Sequence, residues 1–217
     1  MKIDFVSDVS CPWCAIGLKS LEQAITRVPE LQVELHFQPF ELNPSMVPEG
    51  EDITEHLSRK YGLPAAQLEA NRNAIRQRGA AVGFDFVQGA RSRIYNTFDA
   101  HRLLHWDGLQ GGNYQHDPKL SLLGAYFTDG LDPSDHQLLL ERAVAVGLDA
   151  DAARAVLESQ QFADDVREAE SFYHSQGINS VPAVIINDRH LISGGQPVEV
   201  FEQALRQIAK ESAAQAN

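Results

Sequence analysis

The chain predicts an α/β protein in which a βαβ unit at the start and a ββα unit at the end flank a long helical stretch. Three observations carry this prediction. A short alternating apolar run (Ile3, Phe5, Val6) passes directly into a helical pattern; two compact β runs surround a tight turn near the other end; and from about Asp52 to His174 the apolar residues recur at helical spacing.

In order, the opening reads as a strand at Lys2–Val6, a helix over about Cys14–Val28 with Ile16, Leu21, Ala24 and Ile25 on its apolar face, and a strand at Val33–Phe40. Pro39–Pro48 holds Phe40, Leu42, Met46 and Val47 among three prolines. It is too apolar for a solvated linker and is read as a joint between modules or part of a substrate groove. Asp52 with Glu55 has the capping-box pattern, and Asp132-Pro133-Ser134-Asp135 is a helix start followed by an apolar face of Leu138, Leu139, Ala143 and Val144. Glycines at 62, 79, 83, 111, 112, 130 and 147 divide the stretch into several helices. Asp164, Asp165, Glu168 and Glu170 are read as a solvated helix face. Strands at Ala183–Ile186 and His190–Ile192 enclose the Asn187-Asp188 turn, and Gly194-Gly195-Gln196-Pro197 introduces a helix at Val198–Ala209.

The chemistry is concentrated in Ser10-Cys11-Pro12-Trp13-Cys14, which contains both cysteines of the 217 residues. A C-x-x-C between a strand and a helix is the pattern of a thiol–disulfide pair. At a helix start the first sulfur lies near unpaired backbone N–H groups and the positive end of the helix dipole, which favour a thiolate. Cys11 is therefore the expected nucleophile and the exposed thiol. Cys14, one turn on, is the shielded resolving thiol. Pro12 suits the first helical position, and Trp13 sets an apolar ring beside the nucleophile.

With 30 acidic and 18 basic residues the net charge is −12, which argues against nucleic acid and anionic membranes as partners. Met1–Phe5 enters the strand pattern with no basic and then apolar leader, and no run approaches a membrane span, so a cytoplasmic location is expected. There a C-x-x-C is more often catalytic or metal-binding than structural. The expected partners are protein or small-molecule thiols and disulfides. No cofactor is expected beyond glutathione as a redox partner. Zinc is the competing chemistry, but it needs four ligands, and His101 with His105 would have to complete the set.

Several segments together make the chain similar to the DsbA-like branch of the thioredoxin superfamily, and within it to FrnE-like cytoplasmic proteins. They are Asp8–Cys14, Pro39–Pro44, Asn96–Leu103, Gly177–Pro182 and Ile192–Pro197. The resemblance implies a thioredoxin fold (βαβ…ββα) interrupted by an all-helical insertion domain. The thioredoxin-like domain would take residues 1–48 and 176–217, and the insertion residues 49–175. It also implies dithiol–disulfide exchange at the C-x-x-C and a cis-proline at Val181-Pro182 whose loop pairs with a bound peptide. DsbA carries a histidine where this chain has Trp13, so its strong oxidant character does not follow.

Around the catalytic set of Cys11, Cys14 and Pro182, the candidate substrate-binding residues are Trp13, Val181, Phe40, Asn43, Asn96, His101, Gly195 and Gln196. The His101 imidazole could hold or shuttle a proton at neutral pH. The Gly194-Gly195-Gln196 turn offers backbone N–H groups to a peptide or glutathione carboxylate. Two other function classes stay open. One is a glutathione-dependent transferase or isomerase of the kappa or 2-hydroxychromene-2-carboxylate isomerase type, which uses a single serine at the nucleophile position. The other is a peptide-binding, chaperone-like module with an apolar groove around Trp13, Phe40 and Met46.

Overall fold

A computed structural model describes residues 1–110 and 116–215. The elements run β1 (Lys2–Ser7), α1 (Pro12–Thr26), β2 (Glu34–Pro39), β3 (Glu51–Asp52), α2 (Ile53–Tyr61), α3 (Ala65–Ala81), β4 (Arg93–Ile94), α4 (Phe98–Leu109), α5 (His116–Phe127), α6 (His136–Ala145), α7 (Ala150–Leu157), α8 (Ala163–Ser175), β5 (Ala183–Ile186), β6 (His190–Ser193) and α9 (Val198–Gln215). The main sheet has the order β2-β1-β5-β6. β1 and β2 are parallel, joined by a crossover through α1, while β5 runs antiparallel to both β1 and β6. The protein thus has the mixed α/β thioredoxin-type fold with a helical insertion that the sequence predicts.

Alternation along β1 sorts its side chains between two layers. Ile3 and Phe5 join Phe37, Val184 and Ile186 against the apolar faces of α1 and α9. Val6 points the other way, to Phe40, Tyr173 and Ile178 under α8. A second apolar core is built by α4, α6 and α7, and Val9, on the loop leaving β1, packs into it. Asn187 and Asp188 both have positive φ (52° and 55°), and the Arg189 N–H closes their turn on Ile186 O at 3.2 Å, within the three-residue connection between the paired Ile186 and His190.

Several expectations need correction. α1 starts at Pro12, two residues earlier than expected, because Cys11 already serves as its N-cap. The insertion is not wholly helical, since Glu51 and Asp52 pair antiparallel with Ile94 and Arg93, a ladder too short to carry periodicity. Val144 is 47% exposed although its neighbours Leu138, Leu139 and Ala143 are buried. Glu170 is buried, since α8 turns it toward β2 and Glu41, while Asp164, Asp165 and Glu168 face solvent. The proposed break at Gly111-Gly112 lies outside the described residues. Among those that are described, no helix is long and apolar enough to cross a membrane.

Candidate active site

Cys11 is extended (φ −94°, ψ 114°) where the chain leaves β1 for α1; its carbonyl takes the first helical N–H groups, from Cys14 at 3.1 Å and Ala15 at 3.4 Å. Pro12 follows in the first turn, where its missing N–H costs nothing. Both sulfurs are free thiols. Cys11 Sγ donates to the carbonyl of Val181 at 3.6 Å, and the Val181–Pro182 bond beside it is cis. Cys11 is only 3% exposed, against the expectation of an exposed nucleophile, and Cys14 is fully buried. Burial, and next the neighbouring Cys11, push the Cys14 thiol well above its ordinary value.

The loops from the two ends of the chain meet over this helix start. A Cβ at Gly17 would come within 3.0 Å of the Pro182 ring, and one at Gly195 within 2.8 Å of the Trp13 carbonyl oxygen, so both positions require the small residue. Trp13 is 38% exposed, with the Arg78 guanidinium 5.8 Å from its ring centre. In the turn after β6, the Gly194 N–H is given to Pro182 O and the Gln196 N–H to Gly194 O, so two of the expected anion donors already have partners. The Gln196 side chain donates to Ser193 O at 2.7 Å.

Behind the helix start lies a set of buried charged groups. Asp8 Oδ1 accepts from Ser10 N at 3.1 Å, Asp8 Oδ2 accepts from Leu42 N at 2.7 Å, and His101 Nε2 sits 3.5 Å from Oδ1. Burial pushes the Asp8 carboxyl up, but His101 and the two backbone N–H groups together outweigh it and hold the group at about 2. Lys119 on α5 is 1% exposed, and burial lowers its ammonium to about 8 even though Cys14, Asp8 and Cys11 pull in the opposite direction. Further back, Glu41 and Glu170 share the Arg167 guanidinium, and Glu170 also accepts the Glu41 N–H. Burial raises both of these carboxyls.

Cys11, Cys14, Trp13, Val181, Pro182 and Gly195 therefore come together, with His101 one carboxylate behind them. Asn43 lies in a pocket of about 340 Å³ and accepts from Lys60 Nζ at 2.7 Å, with His56 Nε2 3.0 Å away. Two candidates serve elsewhere: Asn96 accepts the Phe98 N–H at the start of α4, and Phe40 is buried under Tyr173 and Ile178. Among the described residues no His, Cys, Asp and Glu are grouped to hold a metal; His105 instead packs on Phe162. Asp8 and Lys119 are site residues that the sequence alone does not mark. Lys119 shares a helical face with Leu122, Leu123 and Tyr126, and a charge on such an apolar face was the available signal.

Known proteins are similar to this chain in sequence and fold. A Bacillus subtilis protein, YwbO, itself uncharacterized, is 28% identical over 210 residues, covering 96% of this chain and 98% of its own. A crystal structure of a probable DsbA oxidoreductase from Streptomyces coelicolor superposes with a TM-score of 0.90 at 33% identity, over 97% of this chain and 91% of that one. The cytosolic disulfide reductase DsbM of Pseudomonas aeruginosa, in a structure with GSH, shares the fold at a TM-score of 0.63 and 17% identity, over 97% of this chain and 100% of that one. The sequence profile of the DSBA-like thioredoxin domain matches residues 2–206, and the chain belongs to that family of oxidoreductases.

Proposed function

We propose that this protein is a cytoplasmic dithiol–disulfide oxidoreductase or isomerase that works through Cys11 and Cys14, with the Val181–Pro182 loop as its substrate edge and glutathione among its redox partners. The observation that carries the reading is the placement of Cys11 as N-cap of α1, one turn before Cys14 and against Val181. The thiolate of Cys11 attacks a disulfide R–S–S–R′, forming the Cys11–S–S–R bond and releasing R′–S⁻, which takes up a proton. The thiol of Cys14 then loses its proton and attacks Cys11 Sγ, closing the protein disulfide and releasing R–S⁻. Run backwards, the same steps oxidise a substrate dithiol. The glutathione reading draws support from the fold shared with DsbM and from the room beside Asn43. The pair of cysteines favours redox exchange over the transferase or isomerase alternative, which needs only one nucleophile.

The test is a pair of variants. Cys14→Ser should accumulate a mixed disulfide with Cys11, visible by mass spectrometry, and Cys11→Ser should abolish insulin reduction and refolding of a scrambled substrate. Variants that match wild type in these assays would overturn the redox reading, and undiminished peptide binding by the double variant would favour the chaperone-like module.

A further inference from the structure

A cleft of about 390 Å³ opens beside the nucleophile, between the N-terminal end of α1, the start of α2, one face of α3 and the segment that leads to β4. Pro12, the residue after Cys11, lines its wall, and Arg91, which also lines it, donates from Nη1 to Ser10 O, on the other side of Cys11, at 3.5 Å. Arg72, Arg76 and Arg91 all line this space, and Arg72 Nη2 donates across it to Thr54 Oγ1 at 2.7 Å. Arg72 and Arg76 lie four residues apart on one face of α3, and Glu69 stands 3.5 Å and 3.6 Å from them, one carboxylate for two cations. Asp52 is engaged in capping α2 through Thr54 N and Glu55 N. Arg91 is stacked against the Tyr126 and Phe127 rings, and among the described residues no carboxylate lies within ion-pair distance of it. In a chain of net charge −12, this cleft carries three arginines against two acids, a local excess of positive charge that begins one residue along the chain from Cys11.

We propose that this cleft binds a carboxylate of the disulfide substrate, so that the protein prefers disulfides carrying a carboxylate close to the sulfur. The proposal rests on the redox reading above and adds its substrate class. Cys11 divides the substrate: one half lies along Val181, and the other reaches past Pro12 toward the arginines. The volume suits about a dipeptide-sized group, at the lower end of small-molecule pockets. Guanidinium forks recognise carboxylates through paired N–H groups, and the same positive field stabilises the thiolate released on that side. Oxidised glutathione and a peptide disulfide flanked by Asp or Glu both present this chemistry.

The experiment compares exchange with oxidised glutathione, with an acidic peptide disulfide and with neutral hydroxyethyl disulfide. In Arg72→Gln/Arg76→Gln the ratio of kcat/KM for a carboxylate-bearing disulfide to that for the neutral one should fall about tenfold. Glu69→Gln, which removes the competing carboxylate, should raise it, and Arg154→Gln, outside the cleft, should leave it at the wild-type value. A fall for oxidised glutathione alone identifies the small disulfide as the source of the carboxylate, and a fall for the peptide alone identifies the peptide. An unchanged ratio in both cleft variants overturns the proposal. Calorimetric binding of oxidised glutathione to Cys11→Ser protein, with and without the two arginine substitutions, reads the cleft without turnover. Wild-type protein that exchanges with no disulfide would therefore overturn the redox reading, while equal calorimetric binding with and without the arginines would overturn the cleft.

Discussion

Two buried cations in this molecule stand in opposite surroundings. In the helical core, Arg102 of α4 is 1% exposed, and its guanidinium donates to Asp99 Oδ1 at 2.7 Å, to Gln161 O at 2.9 Å, and to the carbonyls of Ser159 and Val156. It ties the end of α7 and the start of α8 to α4. At the junction beneath the cysteines, Lys119 is equally buried, yet there desolvation outweighs the attraction of Cys14, Asp8 and Cys11, and the ammonium is lowered to about 8. A buried charge that donates to four fixed acceptors is a structural joint. One held mainly by long-range attraction is titratable, which is what a site moving thiol protons can use.

The contrast is tested most severely at Arg102. Arg102→Met leaves several buried carbonyls without donors and should cost about 4 kcal/mol in urea unfolding. A loss below about 1 kcal/mol would erase the distinction between the two regions. Lys119→Met should do the reverse. A group of value 10.5 in the unfolded chain and about 8 in the folded one is held protonated at a cost of about 3 kcal/mol at neutral pH. Between those two pH values the unfolded chain binds the proton and the folded chain does not, so the wild type gains stability as pH rises through that window. The variant should be more stable at pH 7 by up to that amount, and its advantage should fade by pH 10.5. Because the Lys119 charge lowers the Cys14 thiol, alkylation of Cys14 in the variant should also need a higher pH.

The smallest of these effects is expected at Asp8, whose two oxygens both accept backbone N–H groups and which lies three residues before Cys11. Its carboxyl is held at about 2 against an ordinary 3.8, so the stabilisation is present above pH 3.8 and is lost as pH falls through about 2. Asp8→Asn should cost about 2 kcal/mol at pH 7 and close to nothing at pH 2, measured by unfolding at the two pH values.

The architecture was legible because its signals are local. Ile3, Phe5 and Val6 alternate, Cys11-Pro12 marks a helix start, and Asn187-Asp188 marks a hairpin. What stayed hidden depends on residues far apart in the chain. Glu170 belongs to a run of acids that reads as solvated, and only the packing of α8 on β2 brings it to Glu41, 129 positions away. The charge on Asp8 is set partly by His101, which α4 delivers, and Phe40 looks like a groove residue until Tyr173 covers it. The spacing of the cysteines is local and plain in the chain, whereas His101 and Lys119, which lie behind them, are brought there by other helices.

The order in which the chain is made has a consequence for the packing of Gly17 on Pro182 and of Trp13 on Gly195. β1 sits between β2 and β5, and β5 comes from near the far end of the sequence. A ribosome that has released Cys11 and Cys14 must still deliver the whole helical insertion and the Val181–Gln196 loops before the sulfurs are enclosed. Throughout that interval the two thiols are ordinary cysteines on a nascent chain, open to any oxidant in their surroundings. Completion of the chain is what encloses both thiols.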